Sequence, residues 1–380
     1  MDYTEKRLAT KIRKLFRYIR IYGLSRSLVK VRGQRHMKKN FNRYPPLGVS
    51  RKDKYVAIIG CGNHAYSNTA YFIDKNVGKV IGATLDLDLN KAASLAQSYG
   101  APIFTKDVND IVGDVNICLV YIISNHSSHT EYAIDVLKSG KDVFIEKPVS
   151  VNKSQLKKLM RATRASNSKV YGGYNRPFTY AIREISKYVT EASITLQCFV
   201  MGHKLPSDHW YRDKSEGSRV VGNLGHWIDL SMHLMMARSN IPESFEVSLM
   251  SANKSHPDDD FTVSIKSNLD DLIILTLSTR CDPFEGVMES IHFQNESIVA
   301  KIDDFRELIL WEGEKKIIKR FSPKDAGHKG SVLQPFVKDA RNWEEVEYST
   351  FLMLEVEDML KNKHYNREIN ISSAIQELVG

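Results

Sequence analysis

Residues 54–65 read Lys-Tyr-Val-Ala-Ile-Ile-Gly-Cys-Gly-Asn-His-Ala, and this stretch decides the fold. The apolar run 55–59 suits a buried parallel strand. It runs into Gly60-x-Gly62-x-x-Ala65, after which a helical pattern continues to residue 76. Gly60 permits a tight turn, Gly62 lets the backbone approach a pyrophosphate, and Ala65 keeps the helix close to the strand. Amides at the helix N-terminus, around Asn63 and His64, then meet the negative charge. A second strand at 80–85 ends in Asp86. A carboxylate there accepts from a ribose 2′-hydroxyl and repels a 2′-phosphate, so NAD is expected in preference to NADP. Asp86 also reads as a turn acid, since Asp88 and Asn90 follow closely.

The alternation continues downstream. Residues 91–99 read as a helix, 103–104 as a short strand and 115–123 as a strongly apolar strand. The polar loop 124–129 follows at its carboxyl end, which places Ser124, Asn125 and His129 in a cofactor crevice and leaves His126 as a solvated loop residue. A helix at 130–138 leads to a strand at 143–145, which ends in Glu146-Lys147-Pro148. This order means a doubly wound parallel sheet, a Rossmann domain over 54–148. Pro148 restricts Lys147 to an extended conformation and so aims its amine. Beyond it, 153–166 is helical and 170–174 is a strand. Strands at 193–201, 245–252, 261–267, 272–278, 290–293 and 297–301 have no helices between the later ones. They predict an α+β domain over 149–345 with a large open, mostly antiparallel sheet, followed by a helical segment over 346–380.

The chain carries a net charge of +9 over 380 residues, but the charge is not evenly spread. Residues 1–53 hold 16 Lys or Arg against 3 Asp or Glu, a net of +13. The remainder is therefore acidic, which gives no reason to expect nucleic acid. Leu8, Ile12, Phe16 and Ile19 recur at helical spacing among Lys11, Arg13, Lys14, Arg17 and Arg20. Two readings follow for this basic helical extension: docking on the protein's own body, or peripheral contact with anionic lipid or an acidic partner. Four cysteines without paired spacing, no bilayer-length apolar run and no signal-peptide core fit a cytoplasmic protein, with room for peripheral contact at the inner membrane surface.

Together the Gly60-Cys61-Gly62-Asn63 turn, the Asp86-Leu87-Asp88 strand end, the 124–129 loop and Gly140-Lys141-Asp142-Val143-Phe144-Ile145-Glu146-Lys147-Pro148 resemble the Gfo/Idh/MocA family, that of glucose–fructose oxidoreductase and inositol dehydrogenase. The likeness runs from residue 55 to 342. It implies that Glu146 and Lys147 meet the nicotinamide ribose and that Lys147 also meets the reacting hydroxyl. Asn175-Arg176-Pro177-Phe178 resembles an element lining the family's active site, with Pro177 in place of an arginine; Asn175 and Arg176 could equally hold one domain to the other. His209-Trp210, then 216–230, resembles a subgroup in which His226 would be an acid/base partner of the lysine, with Asn223 and Asp229 on the substrate side. The acids carried by relatives at these places are here Gly222 and Asn223, and Asn cannot exchange a proton at neutral pH. His209, His226 and His233 fit no standard metal spacing, so no metal is expected.

These readings converge on an NAD-dependent oxidoreductase acting on a hydroxyl of a sugar or sugar derivative, with a nucleotide-linked sugar of surface-polysaccharide synthesis as the finer expectation. The alternatives are a glycosidase-type enzyme with retained NAD and a catalytically silent NAD-binding or assembly protein. The open sheet predicts a homodimer or homotetramer.

Overall fold

The computed structural model describes residues 8–283 and 286–379, and side chains from residue 12 onward except that of residue 14. The expected extension therefore lies outside the described residues over 1–7. Helix α1, Leu8–Tyr22, ends at Gly23 with φ 83°, and α2, Leu24–His36, turns back against the Rossmann domain. Ile21 is buried, whereas Ile12, Leu15 and Phe16 of the apolar stripe are 45%, 41% and 69% exposed. The extension thus docks through α2 and the end of α1, and the earlier turns of α1 keep an uncovered apolar and basic face. Among the described residues no helix is long and apolar enough to cross a membrane.

The first sheet comprises β1 (Val56–Ile59), β2 (Ile81–Leu85), β3 (Ile103–Thr105), β4 (Leu119–Ile122), β5 (Asp142–Ile145) and β6 (Val170–Gly172) in the order β3-β2-β1-β4-β5-β6. All its pairings are parallel. The sheet therefore extends past the expected boundary at 148, because the strand at 170 pairs with β5. Strand β4 is shorter than expected. Asn116 N donates to Asp114 Oδ1 in a turn, which leaves Val115 92% exposed. The helix Leu89–Tyr99 begins at Asp88, whose carboxylate accepts from Asn90 N, and stops at Gly100 with φ 73°.

The second sheet has nine strands: β7 (Thr195–Met201), β8 (Ser244–Ser251), β9 (Phe261–Ser267), β10 (Leu272–Ser278), β11 (Met288–Asn295), β12 (Ile298–Asp303), β13 (Glu307–Glu312), β14 (Lys315–Arg320) and β15 (Asn366–Asn370). Only β7 and β10 pair in parallel. The last three strands extend beyond the strands read from sequence. β15 interrupts the C-terminal segment between the helices Trp343–Asn362 and Ile371–Val379, so 346–380 is not wholly helical. Burial alternates along β7 and β8 as the pleat requires. The inner face packs on the helices Gly225–Met235 and Trp343–Asn362, and the outer face exposes Phe199, Leu272, Val299 and Ile318.

Arg238 pins the end of the helix Gly225–Met235 to the β9–β10 turn through Asp271, at 2.8 and 2.6 Å, with the acid fully buried. Replacing Arg238 by Met should cost ~3–5 kcal/mol, because it strands that carboxylate without a counter-charge. Urea denaturation tests this, and a loss below ~1 kcal/mol would contradict it.

Candidate functional site

At the carboxyl end of β1, Gly60 has φ 87°, and a Cβ there would lie 2.5 Å from the backbone of Ile123 and Ser124. Only glycine fits. At Gly62 an added Cβ would meet nothing within 4 Å, so the backbone faces open space. The helix that follows starts with a π-helical turn, Ala65–Ala70. Asp86 spans the turn at β2: its Oδ2 accepts from Cys61 N at 2.7 Å and its Oδ1 from Asp88 N at 2.8 Å. Both oxygens keep lone pairs for a ribose hydroxyl. An open glycine turn, helix amides and a fixed carboxylate are the elements a dinucleotide needs, so the residues present fit NAD.

The neighbouring loop is tied to the second domain. Glu216 accepts from Asn125 Nδ2 at 2.6 Å, Ser127 N at 3.2 Å and Ser127 Oγ at 2.9 Å. Ser124 Oγ accepts from Ser128 Oγ at 2.7 Å. His126 is buried rather than solvated, because Trp210 and Tyr211 pack edge-on against its ring. Burial and then the Lys147 charge push its pKa down to about 2. His129 is likewise enclosed rather than open to the crevice. Its Nδ1 lies 2.7 Å from Pro148 O and its Nε2 3.1 Å from Ser124 O, so it clamps two backbones and is fully buried.

Glu146 sits at the end of β5, 3.6 Å from His64 Nε2. Burial pushes its carboxyl up, but His64, Lys147 and His129 outweigh this and hold it below the usual range. The Lys147–Pro148 bond is cis. Lys147 crosses the cleft, and its Nζ donates to Gly222 O at 3.0 Å. Gly222 lies in a second π-helical turn, Val220–Leu224, one turn ahead of His226. The two expected catalytic residues therefore meet at one helix end. His226 Nδ1 is buried without a partner, and the ring stands edge-on to Tyr174. Burial, then the charges of Arg176, Lys147, His328 and His64, hold His226 well below its ordinary pKa, so it is neutral at pH 7.

Tyr211 is the residue that the sequence reading missed. A Cβ at Gly222 would fall 2.1 Å from Tyr211 Cε1. The tyrosine ring thus fills the space that a side chain at 222 would use, and its hydroxyl donates to Gly222 O at 3.3 Å, the acceptor that Lys147 also uses. The signal available was the glycine itself, a position without a side chain four residues before His226.

Several expected substrate contacts are structural. Asp229 is fully buried; both its oxygens accept from Arg341 Nη1, at 2.8 and 2.7 Å, and Oδ1 from Ser349 Oγ. Its carboxylate is thus taken up by Arg341 and Ser349. Arg176 makes two bonds to Glu289, at 3.0 and 2.8 Å, and stacks on Trp227. Asn175 bonds Ala326 O and Arg176. His209 Nδ1 accepts from Tyr211 N and caps a short turn. Trp210 covers His126 and is 49% exposed, and Asn223 is half-buried on the turn before His226. His233 pairs with Glu345, and among the described residues no three His, Cys, Asp or Glu gather as metal ligands.

Residues 54–174 match the oxidoreductase family with an NAD-binding Rossmann fold, Gfo/Idh/MocA. The chain is 30% identical over 131 residues to an oxidoreductase, P35, of Formosa agariphila, covering 34% of this chain and 41% of that protein. It is 24% identical over 141 residues to myo-inositol 2-dehydrogenase of Thermotoga maritima, covering 37% and 41%. The match thus spans about two-fifths of these relatives' length. Levoglucosan dehydrogenase in complex with NADH and L-sorbose superposes with TM-score 0.69 at 14% identity, over 84% of this chain and 99% of that one. GenD2 from gentamicin A biosynthesis, with NAD, gives 0.68 at 14% over 87% and 100%. These structures share the fold.

Burial lowers the pKa of five enclosed histidines: His36, His126, His129, His226 and His328. The unfolded chain protonates each near pH ~6.5, whereas the folded chain does so only at lower pH. The unfolded state therefore binds more protons in this window, and stability falls as pH drops below ~6.5, by up to ~1.4 kcal/mol per pH unit for each histidine. Urea midpoints at about pH 7.5 and about pH 5.5 check the sign, and equal midpoints would contradict it.

Proposed function

We propose that this protein, whose residues 54–174 match the Gfo/Idh/MocA family of NAD-binding oxidoreductases, is an NAD-dependent dehydrogenase of a sugar or cyclic polyol hydroxyl. The observation that carries the reading is the bond from Lys147 Nζ to Gly222 O, which brings an ammonium from the Rossmann sheet onto the helix of His226. NAD, when bound, accepts the hydride. Gly60, Gly62 and Asp86 would hold it, with Glu146 at the nicotinamide end.

Lys147 has three donors, and one is taken by Gly222 O. The others are available to orient a substrate hydroxyl. His226, neutral, accepts the hydroxyl proton as the carbon is oxidised, through its ring nitrogen other than the buried Nδ1. Tyr211 donates to the same carbonyl, so its hydroxyl lies beside the lysine amine. The histidine must lose this proton to solvent before the next turnover. Asn223 can orient a hydroxyl but cannot take its proton.

A nucleotide-linked sugar is the finer substrate reading, supported by the cationic walls that the N-terminal helices bring to the molecule. The exposed outer face of the nine-stranded sheet would carry a second subunit, which sedimentation velocity would show as a dimer and a monomer would refute.

The test is NADH absorbance across cyclic polyols, aldoses and nucleotide sugars. Lys147→Met should lower kcat by ~10²–10⁴ and leave NAD affinity within a few fold. Tyr211→Phe should act more mildly, on kcat rather than on NAD. Turnover by Lys147→Met at the wild-type rate, or NAD binding with no turnover of any hydroxyl compound, would overturn the dehydrogenase reading.

A further inference from the structure

Between α1, α2, the helix Tyr71–Asn76 and the segment 323–329 lies a cavity of about 940 Å³. Among the described residues its lining contains six Lys or Arg and a single acid, Asp325. That acid is already engaged: Tyr180 N donates to Oδ2 and Gly327 N to Oδ1. Lys324 is likewise spent, on Asp304 at 2.5 Å. Arg26 and Lys30 of α2 have no acid partner among the described residues. The Arg26 guanidinium bonds Ser67 O and Asn68 Oδ1, both uncharged, and lies 4.7 Å over the Phe72 ring. Lys30, one helical turn further on, is half-buried, and no acid of the described residues lies within ion-pair distance of it. Like charges at this spacing repel. In a partly enclosed site that repulsion is weakly screened.

The floor of the cavity repeats the pattern. His64 and His328 face each other with ring centres 6.0 Å apart. The charges felt by His328 are those of His64, Arg176, Arg26 and Lys30, with no acid among them. The acids nearest in charge to Tyr22, Asp304 and Glu289, are paired with Lys324, Arg306 and Arg176. The walls also offer ring faces, from Tyr71 and Phe72. His64 connects this space to the catalytic strand end through Glu146, the residue before Lys147. Of the residues expected to hold the dinucleotide, only His64 lines the cavity.

We propose that this cavity is a binding site for the phosphate of a ring-bearing small molecule, a sugar phosphate or nucleoside diphosphate, held by Arg26 and Lys30 of α2. Arg and Lys together are the usual donors to phosphate. The volume exceeds what a lone phosphate needs, and the aromatic walls suit a sugar or base ring. The site stands apart from the dehydrogenase reading, because its occupancy is measured without turnover. The phosphate belongs either to the substrate itself or to a separate ligand, and the chemistry of recognition is the same.

Isothermal titration calorimetry of the full chain with UDP, and with inorganic phosphate, tests this. Wild type should bind UDP more tightly than phosphate, and Lys30→Met should weaken UDP by about tenfold or more. Lys30→Met should fold at least as well as wild type, because it removes the repulsion with Arg26, and circular dichroism melting checks this. Lys316→Met, on the far strand β14, should leave binding unchanged. Saturating NAD should not displace UDP. In turnover assays, a KM rise with Lys30→Met for a nucleotide sugar but not for a neutral sugar assigns the phosphate to the substrate. Unchanged KM for both, with UDP binding lost, assigns it to a separate ligand. No UDP binding, equal binding by wild type and Lys30→Met, or full displacement by NAD would each overturn the site.

Discussion

Everything in the cleft depends on one crossing: the ammonium of Lys147 leaves the Rossmann sheet and ends on the Gly222 carbonyl of the other domain. A single bond of this kind is worth a kcal/mol or so and cannot hold two domains in register. The register comes from elsewhere. Glu216 collects three donors from the loop after β4. Gln334 Nε2 donates to Gly172 O at the edge of the first sheet, and Tyr121 donates its hydroxyl to Val332 O. These bonds join the domains around the cleft, so the lysine arrives at its acceptor already positioned.

The second constraint is charge. Glu146 is kept anionic by the imidazole and ammonium around it, while the histidines nearby are kept neutral by burial and by surrounding cations. A carboxylate held low and an imidazole held neutral are thereby set apart, one at a strand end and one on a helix turn. Gly222 adds a steric side to the same arrangement. It admits the Tyr211 ring into the space that a side chain at 222 would fill.

What could be read from sequence was what is local. The strand, glycine turn and helix at 56–76 and the strand end at 142–148 each declare themselves within a dozen residues, because hydrophobic period, glycine and proline act on their own neighbours. The structural partners of Asp229, Arg176 and Asn175 were illegible for the opposite reason. Their partners Arg341, Glu289 and Ala326 lie more than a hundred residues away, and a buried ion pair looks in sequence like any polar residue beside a motif. The partners of His129 were hidden similarly, since they are backbone carbonyls that carry no sequence signal. Strands β13 and β14 escaped because Glu307, Glu312 and a run of lysines dilute the apolar alternation on an edge, which is where charge is best tolerated.

The N-terminal extension joins these strands of argument. Its basic charge looked like a property of the surface, yet α2 lies tightly against the glycine turn: a Cβ at Gly33 would come 2.4 Å from Asn63 Oδ1, and His36 Nε2 meets Cys61 O at 2.7 Å. A helix this close to the pyrophosphate turn constrains the turn's backbone from outside the Rossmann domain. Its next cations inward, Arg26 and Lys30, face a cavity rather than bulk water. An isolated helix would not bury unpaired cations at a cost in desolvation and mutual repulsion. A helix fastened to the glycine turn therefore carries the positive charge of the extension to the wall of a cavity rather than to bulk solvent.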